Sequence, residues 1–280
     1  MQHVVVIGAG TMGHGIAQVF AMAKIDTYLL DNNEDVLATG LGRIAANLEK
    51  GVARGKVSEA VQAHTLAHLH RGSMGTSLEG ADLVIEAVPE RMELKQSLFQ
   101  SVAKTVSERC ILATNTSSLS ISTIAQAVPH PERVIGMHFF NPVHIMALLE
   151  VVVGGQTRPE VLEAVQLVGE RIGKEVIVVQ DVPGFATSRL GVCLGMEAIR
   201  MVEQGVASAE DIDKAMVLGY RHPIGPLRLT DLVGLDVRMA IGSYLAEELS
   251  NPAFLPPDLM KEMVRTGRLG KKTGSGFYDW

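Results

Sequence analysis

Cysteine is nearly absent from this sequence. The 280 residues include two, Cys110 and Cys193. One pair makes no disulfide framework, so a reducing compartment is expected, the cytoplasm by default. Aromatic residues are scarce, with seven Phe, four Tyr and one Trp, so a core must be built from Val, Ile, Leu, Ala and Met. Long hydrophobic runs are missing too. None reaches the ~18 residues of a transmembrane helix, which argues against a membrane partner. A glycine motif beginning at Gly8 leaves no room for a secretory signal. An excess of positive charge is also lacking: 25 Lys and Arg stand against 31 Asp and Glu, a formal charge of −6. That balance excludes the basic footprint of a general nucleic-acid binder, though not a local basic patch for a small anion.

What is present is a chain with 47% hydrophobic residues, too apolar for disorder. Its length corresponds to roughly two domains at about 150 residues each. Short β-branched runs at 3–7, 27–30, 82–87, 111–114, 134–138, 148–153 and 175–179 alternate with helical patterns at 34–50, 92–106 and 159–172. Such alternation implies an α/β fold, a Rossmann-like doubly wound and mostly parallel sheet. The unalternated apolar runs suit strands buried on both faces. At Asp181-Val182-Pro183-Gly184-Phe185 the pattern changes, and strand runs disappear. Patterns at 190–202, 209–217, 235–249 and 259–266 read as helices. The expected domains are therefore 1–182, nucleotide-binding, and 183–280, all helical. The second is small enough to need a partner surface, and a homodimer through it is expected.

The run Gly8-Ala9-Gly10-Thr11-Met12-Gly13 is a G-x-G-x-x-G between a strand and a helix. Its glycines permit a tight turn and close approach of backbone to a pyrophosphate at the helix N-terminus. Asp31 ends the next strand, 18 residues beyond Gly13, where a carboxylate holds ribose hydroxyls. Asn32, Asn33 and Glu34 follow without an arginine, which favours NAD over NADP. The alternative is a plain tight turn with Asp31 as a helix cap.

Ligands of open α/β sheets bind beyond the carboxyl ends of strands. Two such ends carry chemistry: Asn115-Thr116-Ser117-Ser118, and His138-Phe139-Phe140-Asn141. Glu150 lies inside the apolar run 148–153, where burial requires a partner. His138, twelve residues earlier, is the natural one, and a His–Glu pair would fix the imidazole tautomer and stabilise the imidazolium. Against this stand a structural histidine, an edge-strand Glu150 facing water, and a 115–118 turn that merely caps the helix containing Ile121 and Ile124. His64, His68 and His70 cluster in sequence, but a solvated helix face outweighs a metal site, and no metal is expected. Lys50, Arg54 and Lys56 form a small basic cluster that acquires meaning if the substrate carries phosphates.

Taken together these residues resemble the L-3-hydroxyacyl-CoA dehydrogenase family, in its short bacterial form. The likeness spans the whole chain: GAGTMG at 8–13, IEAVPE at 85–90, NTSSLS at 115–120, HFFNPV at 138–143, DVPGF at 181–185, GPLRLTDLVGLD at 225–236 and GKKTGSGFY at 270–278. The resemblance implies an NAD-dependent enzyme interconverting (S)-3-hydroxyacyl-CoA, short-chain such as 3-hydroxybutyryl-CoA, with the 3-oxoacyl-CoA. It implies cofactor contacts from Gly8, Gly10, Thr11, Met12, Gly13, Asp31, Glu90, Lys95, Asn115, Ser117 and Lys272. It makes His138 the catalytic base, oriented by Glu150 and supported by Asn141, with Ser117 touching both cofactor and substrate oxygen. Asn47 and Arg54 fall where the family contacts coenzyme A, Arg standing in place of the usual Lys. The chain departs from the family pattern at Ser188, where Asn is frequent, at His144, where Pro is common, and at Ala147, where Lys is common. Ser188 is nonetheless expected to serve the substrate carbonyl. The rivals are a free hydroxy- or sugar-acid dehydrogenase on the same fold and an inactive NAD-binding structural protein.

Overall fold

The computed structural model describes residues 1–280, which divide into two compact units, Met1–Asp181 and Val182–Trp280. The first contains eight strands: β1 (His3–Ile7), β2 (Asp26–Leu30), β3 (Leu69–Arg71), β4 (Leu83–Glu86), β5 (Ile111–Thr114), β6 (Val134–Phe139), β7 (Leu148–Val153) and β8 (Glu175–Gln180). They form one sheet in the order β3-β2-β1-β4-β5-β6-β7-β8. Every neighbouring pair is parallel except β6 and β7. The first six follow the 3-2-1-4-5-6 order of a dinucleotide-binding sheet, which reverses direction between β1 and β4.

The helices of this unit are α1 (Gly13–Met22), α2 (Glu34–Ala53), α3 (Glu59–Ala67), α4 (Met92–Val102), α5 (Ile121–Ala125) and α6 (Pro159–Arg171). Fully buried Val4, Val6, Ile16, Phe20, Leu83, Ile85, Ile135 and Val151 belong to one core cluster. The absence of alternation in β1, β4, β5 and β6 is explained, because both faces of each strand are covered. β8 differs: it is the sheet edge and exposes Ile177 and Val178. The short edge strand β3 escaped the sequence reading, since three residues carry no measurable period. It places His70 on a strand, while His64 lies on α3 and His68 follows its end, so the three histidines do not share one helix face.

The second unit is helical: α7 (Thr187–Glu203), α8 (Ala209–Lys214), α9 (Pro226–Val233), α10 (Leu235–Glu248) and α11 (Asp258–Arg265). Its core gathers Met196, Ile199, Leu227, Leu235, Leu245 and Met260. The helix expected over 209–217 ends sooner, giving way to a π-helical turn at Ala215–Gly219. α9 has no counterpart among the helical patterns of the sequence; Pro226 opens it between Gly225 and Gly234. Two buried carboxylates tie this unit together. Asp213 accepts from the Leu227 and Arg228 amides, satisfying the first turn of α9, and from the Tyr278 hydroxyl. Asp231 accepts from the Phe277 and Tyr278 amides and from Trp280 Nε1. A Cβ at Gly276 would overlap the Asp231 carboxylate. The TDL and GSGFY motifs therefore answer one another across the unit as framework.

Candidate active site

The turn after β1 is closed by its own glycines. Gly8 has φ +103°, and a Cβ there would stand 2.6 Å from the Ala87 carbonyl oxygen. Nothing lies within 4 Å of a Cβ built on Gly10, so no neighbour in the protein requires glycine at that position. Open backbone of this kind is what close approach by a pyrophosphate needs. No side chain caps α1; in its first turn His14 N reaches the Gly10 carbonyl at 3.4 Å, and the N-terminus otherwise stands open to a ligand or water. Asp31 holds the turn from β2: one oxygen accepts from Ala9 N at 2.8 Å and the other from Asn33 N at 2.9 Å. Asn33, in turn, caps α2. A cleft of about 750 Å³ runs beside these residues, lined by Gly10, Thr11, Met12 and Asp31 and by Val88 and Pro89 beyond β4. The residues present fit a dinucleotide.

Beyond Val88 lies a network of buried charge. Glu86, at the end of β4, is 0% exposed, and Lys95 on α4 is 1% exposed. Glu86 Oε1 accepts from Lys95 Nζ at 2.7 Å and from Val88 N at 2.7 Å, and Oε2 accepts from Thr114 Oγ1 at 2.6 Å. Burial pushes the Glu86 carboxyl above its ordinary value, with the ammonium and the three donors acting against it. Lys95 also reaches Glu90 at 3.2 Å. Glu90 Oε1 accepts from Thr116 Oγ1 at 2.6 Å, Ser117 N at 2.9 Å and Ser117 Oγ at 3.2 Å. Burial pushes Glu90 upward, but Lys95, Thr116 and the Ser117 amide outweigh it and hold the carboxyl below its usual value. The 115–118 turn is thus organised by Glu90. It does not cap α5, whose first turn is held by Ser120 and Asp181.

The antiparallel pairing of β6 and β7 sets His138 directly opposite Glu150. His138 Nδ1 lies 2.8 Å from Glu150 Oε2. Glu150 is 0% exposed on an interior strand, so the edge-strand alternative is corrected. Asn115 Oδ1 accepts from Phe139 N at 2.9 Å, fastening the residue after the histidine to the end of β5. The Phe140 ring lies 4.5 Å from the imidazole, centroid to centroid.

His138, Glu150, Asn115, Ser117, Glu90 and Lys95 are therefore linked through neighbouring strand ends of one unit. Lys95 offers a ligand almost no surface; it pairs with Glu90, whose side chain is partly exposed and which follows the cleft-lining Pro89. Asn141 is exposed and precedes a cis peptide to Pro142. Asn47 on α2 donates to Gln18 on α1 at 3.2 Å, and exposed Arg54 ends α2. In the second unit Lys272 pairs with Asp236. Ser188 is the second residue of α7; the cap position is Ala186, so Ser188 is not the helix cap. Of the histidine cluster, His64 bonds the Met22 carbonyl, while His68 and His70 both meet Asp26.

Glu86 and Thr114 were missed in the sequence. The signal for Glu86 was present: like Glu150, it is a carboxylate inside an apolar run.

Residues 3–182 match the model of the 3-hydroxyacyl-CoA dehydrogenase NAD binding domain, and residues 184–280 match that of the 3-hydroxyacyl-CoA dehydrogenase C-terminal domain. The chain is 42% identical to 3-hydroxybutyryl-CoA dehydrogenase of Clostridioides difficile over 275 residues, 98% of each chain. It is 42% identical to 3-hydroxyadipyl-CoA dehydrogenase of Escherichia coli, covering 100% of this chain and 59% of that one. The crystal structure of (S)-3-hydroxybutyryl-CoA dehydrogenase from Ralstonia eutropha superimposes with a TM-score of 0.96 at 39% identity, covering 100% of this chain and 99% of that one.

Proposed function

The chain belongs to the 3-hydroxyacyl-CoA dehydrogenase family of NAD-dependent oxidoreductases, and from that premise we propose that it interconverts (S)-3-hydroxybutyryl-CoA or a similarly short (S)-3-hydroxyacyl-CoA with the 3-oxoacyl-CoA by means of a His138–Glu150 acid–base pair. The observation that carries this reading is the 2.8 Å contact between His138 Nδ1 and the buried Glu150 carboxylate. With Nδ1–H donating to Glu150, Nε2 is the basic nitrogen. In oxidation Nε2 takes the proton of the C3 hydroxyl, and Glu150 stabilises the resulting imidazolium. In reduction the imidazolium returns that proton to the forming alkoxide. Bound NAD supplies the acceptor for the hydride leaving C3, and NADH its donor in reverse. Ser117 directs its hydroxyl at the C3 oxygen once substrate draws it from Glu90, and Asn141 supports the pair. Asp31 holds the adenosine ribose, with Asn32 and Asn33 beside it and no cation for a 2′-phosphate. Glu90, Asn115 and Lys272 complete the cofactor contacts. Asn47 and Arg54 take the coenzyme A moiety, and Ser188 the substrate carbonyl. Residues 1–182 serve as the cofactor domain and 183–280 as the substrate and dimerisation domain of a cytoplasmic homodimer.

The test is the rate of NADH oxidation with acetoacetyl-CoA for the wild-type protein and for His138→Gln. The expected loss is about 10²- to 10⁴-fold in kcat, the contribution of a positioned acid–base. NAD affinity should hold. A variant within a few-fold of wild-type turnover would overturn the assignment of His138.

A further inference from the structure

We propose that Glu86, which touches no ligand surface, is a positioning residue that sets the net charge of the Glu86–Lys95–Glu90 cluster at −1 and thereby biases the site toward the oxidised, cationic nicotinamide. The inference rests on the NAD-dependent reading above and deepens it.

The geometry supplies each step. Lys95 is 1% exposed, so its ammonium must be neutralised within the protein. Two carboxylates meet it, Glu86 at 2.7 Å and Glu90 at 3.2 Å. Glu86 Oε1 accepts from both the Lys95 ammonium and Val88 N, and Oε2 meets Thr114 Oγ1; an ammonium at 2.7 Å favours the ionised carboxylate against the upward push of burial. One ammonium and two carboxylates leave one uncompensated negative charge. Glu90 presents it, since its side chain is 37% exposed while those of Glu86 and Lys95 are sealed. The cleft fixes where that charge acts. Gly10, Asp31, Val88 and Pro89 all line it, and Glu90 follows Pro89 directly in the chain and holds the Ser117 turn. A dinucleotide with its adenosine ribose at Asp31 and its pyrophosphate at Gly10 extends its nicotinamide half toward Glu90 and the Ser117 turn. The nicotinamide ring is cationic in NAD⁺ and neutral in NADH, so a fixed negative charge discriminates between them. A single Lys95–Glu90 pair would hold the Ser117 turn equally well with no net charge. Glu86 is what makes the cluster an anion.

The decisive measurement is the ratio Kd(NAD⁺)/Kd(NADH), obtained by titration calorimetry of the full chain. Glu86→Gln takes the cluster from −1 to neutral. For a charge at roughly 10 Å and an effective dielectric of about 20–40, the ratio should rise about 4- to 15-fold. The double variant E86Q/K95M leaves Glu90 alone, restores −1, and should return the ratio to within about twofold of wild type. Loss of a purely structural contact would be worsened, not repaired, by deleting the second partner. If E86Q alone does not fold, the double variant carries the test by itself: its ratio matches wild type if the wild-type cluster is −1 and falls about 4- to 15-fold below it if that cluster is neutral. An unchanged ratio in the charge-neutral variant, or no recovery in the double variant, would overturn the proposal. Failure of the wild-type chain to bind either dinucleotide would instead overturn the NAD reading beneath it.

Discussion

Glu90 shows how one side chain serves both stability and chemistry. Its carboxyl is pushed up by burial yet held below its ordinary value by Lys95, Thr116 and the Ser117 amide. A depressed carboxyl contributes stability that is complete above the unfolded pKa of about 4.3 and is lost as pH falls through the folded value. Glu90→Gln should therefore be less stable than wild type at neutral pH, and the gap should close as pH drops below about 4.3. Urea midpoints measured across that range check the sign, and a gap independent of pH would contradict it. Ser188 offers a second test at this scale. Since Ala186, not Ser188, occupies the cap of α7, Ser188→Ala should leave stability within ~0.5 kcal/mol of wild type. If its hydroxyl serves the substrate carbonyl, kcat/KM should fall about 3- to 30-fold. Kinetics and melting temperature measured on that one variant separate the two roles. What was legible at the residue scale followed from rarity. Glu150 stood out as a charge among valines, and its partner was sought and found. Glu86 sits in an equally apolar strand, but its partner Lys95 lies on a helix, where a lysine attracts no notice. Sequence marks a charge that must be paired more readily than the ordinary surface-type residue that pairs it.

At the scale of elements, the strands were the most readable part. Both-face burial makes β1, β4, β5, β6 and β7 near-continuous apolar runs bounded by turns. Elements whose stability comes from distant side chains were not readable. α9 begins at Pro226 because Asp213 receives its first amides, and nothing near Pro226 announces that carboxylate. α5 is five residues long, too short to stand by propensity. Asp181, at the far end of the first unit, holds it by accepting from Ser120 Oγ at 2.9 Å, Ile121 N at 2.9 Å and Ser122 N at 2.8 Å. The DVPGF motif thus has a framework role at its first residue. Asp181→Ala should cost about 2–3 kcal/mol, the range for charge-assisted hydrogen bonds lost with their donors left unpaired. Because α5 follows the Ser117 turn directly, hydrogen exchange at residues 116–124 should quicken more than at β1. Uniform exchange across both segments would mean that α5 does not depend on Asp181.

For the whole molecule, the open question is what covers the apolar surface of the helical unit. Leu190 on α7 is 72% exposed, and Leu218 and Tyr220, at and just after the π-helical turn, are each 77% exposed. Single exposed apolar residues are ordinary, but large ones concentrated on a unit of about a hundred residues mark a surface used in association. In the homodimer proposed above, a second copy of the chain supplies the complementary apolar face, and two-fold pairing is the commonest form of closed assembly. Sedimentation velocity should then give about twice the 30.0 kDa chain mass at micromolar concentration. Leu218→Asp together with Tyr220→Asp should convert it to the monomer by placing unpaired charges in the interface, where each costs several kcal/mol. Neither residue belongs to the unit's core, so far-UV circular dichroism should be unchanged in the variant. A wild-type protein sedimenting as a single chain, or a double variant that still sediments as a dimer, would remove these residues from any interface. The association would then have to be sought on the exposed edge strand β8 of the first unit, where Ile177 and Val178 leave apolar surface on an unpaired edge.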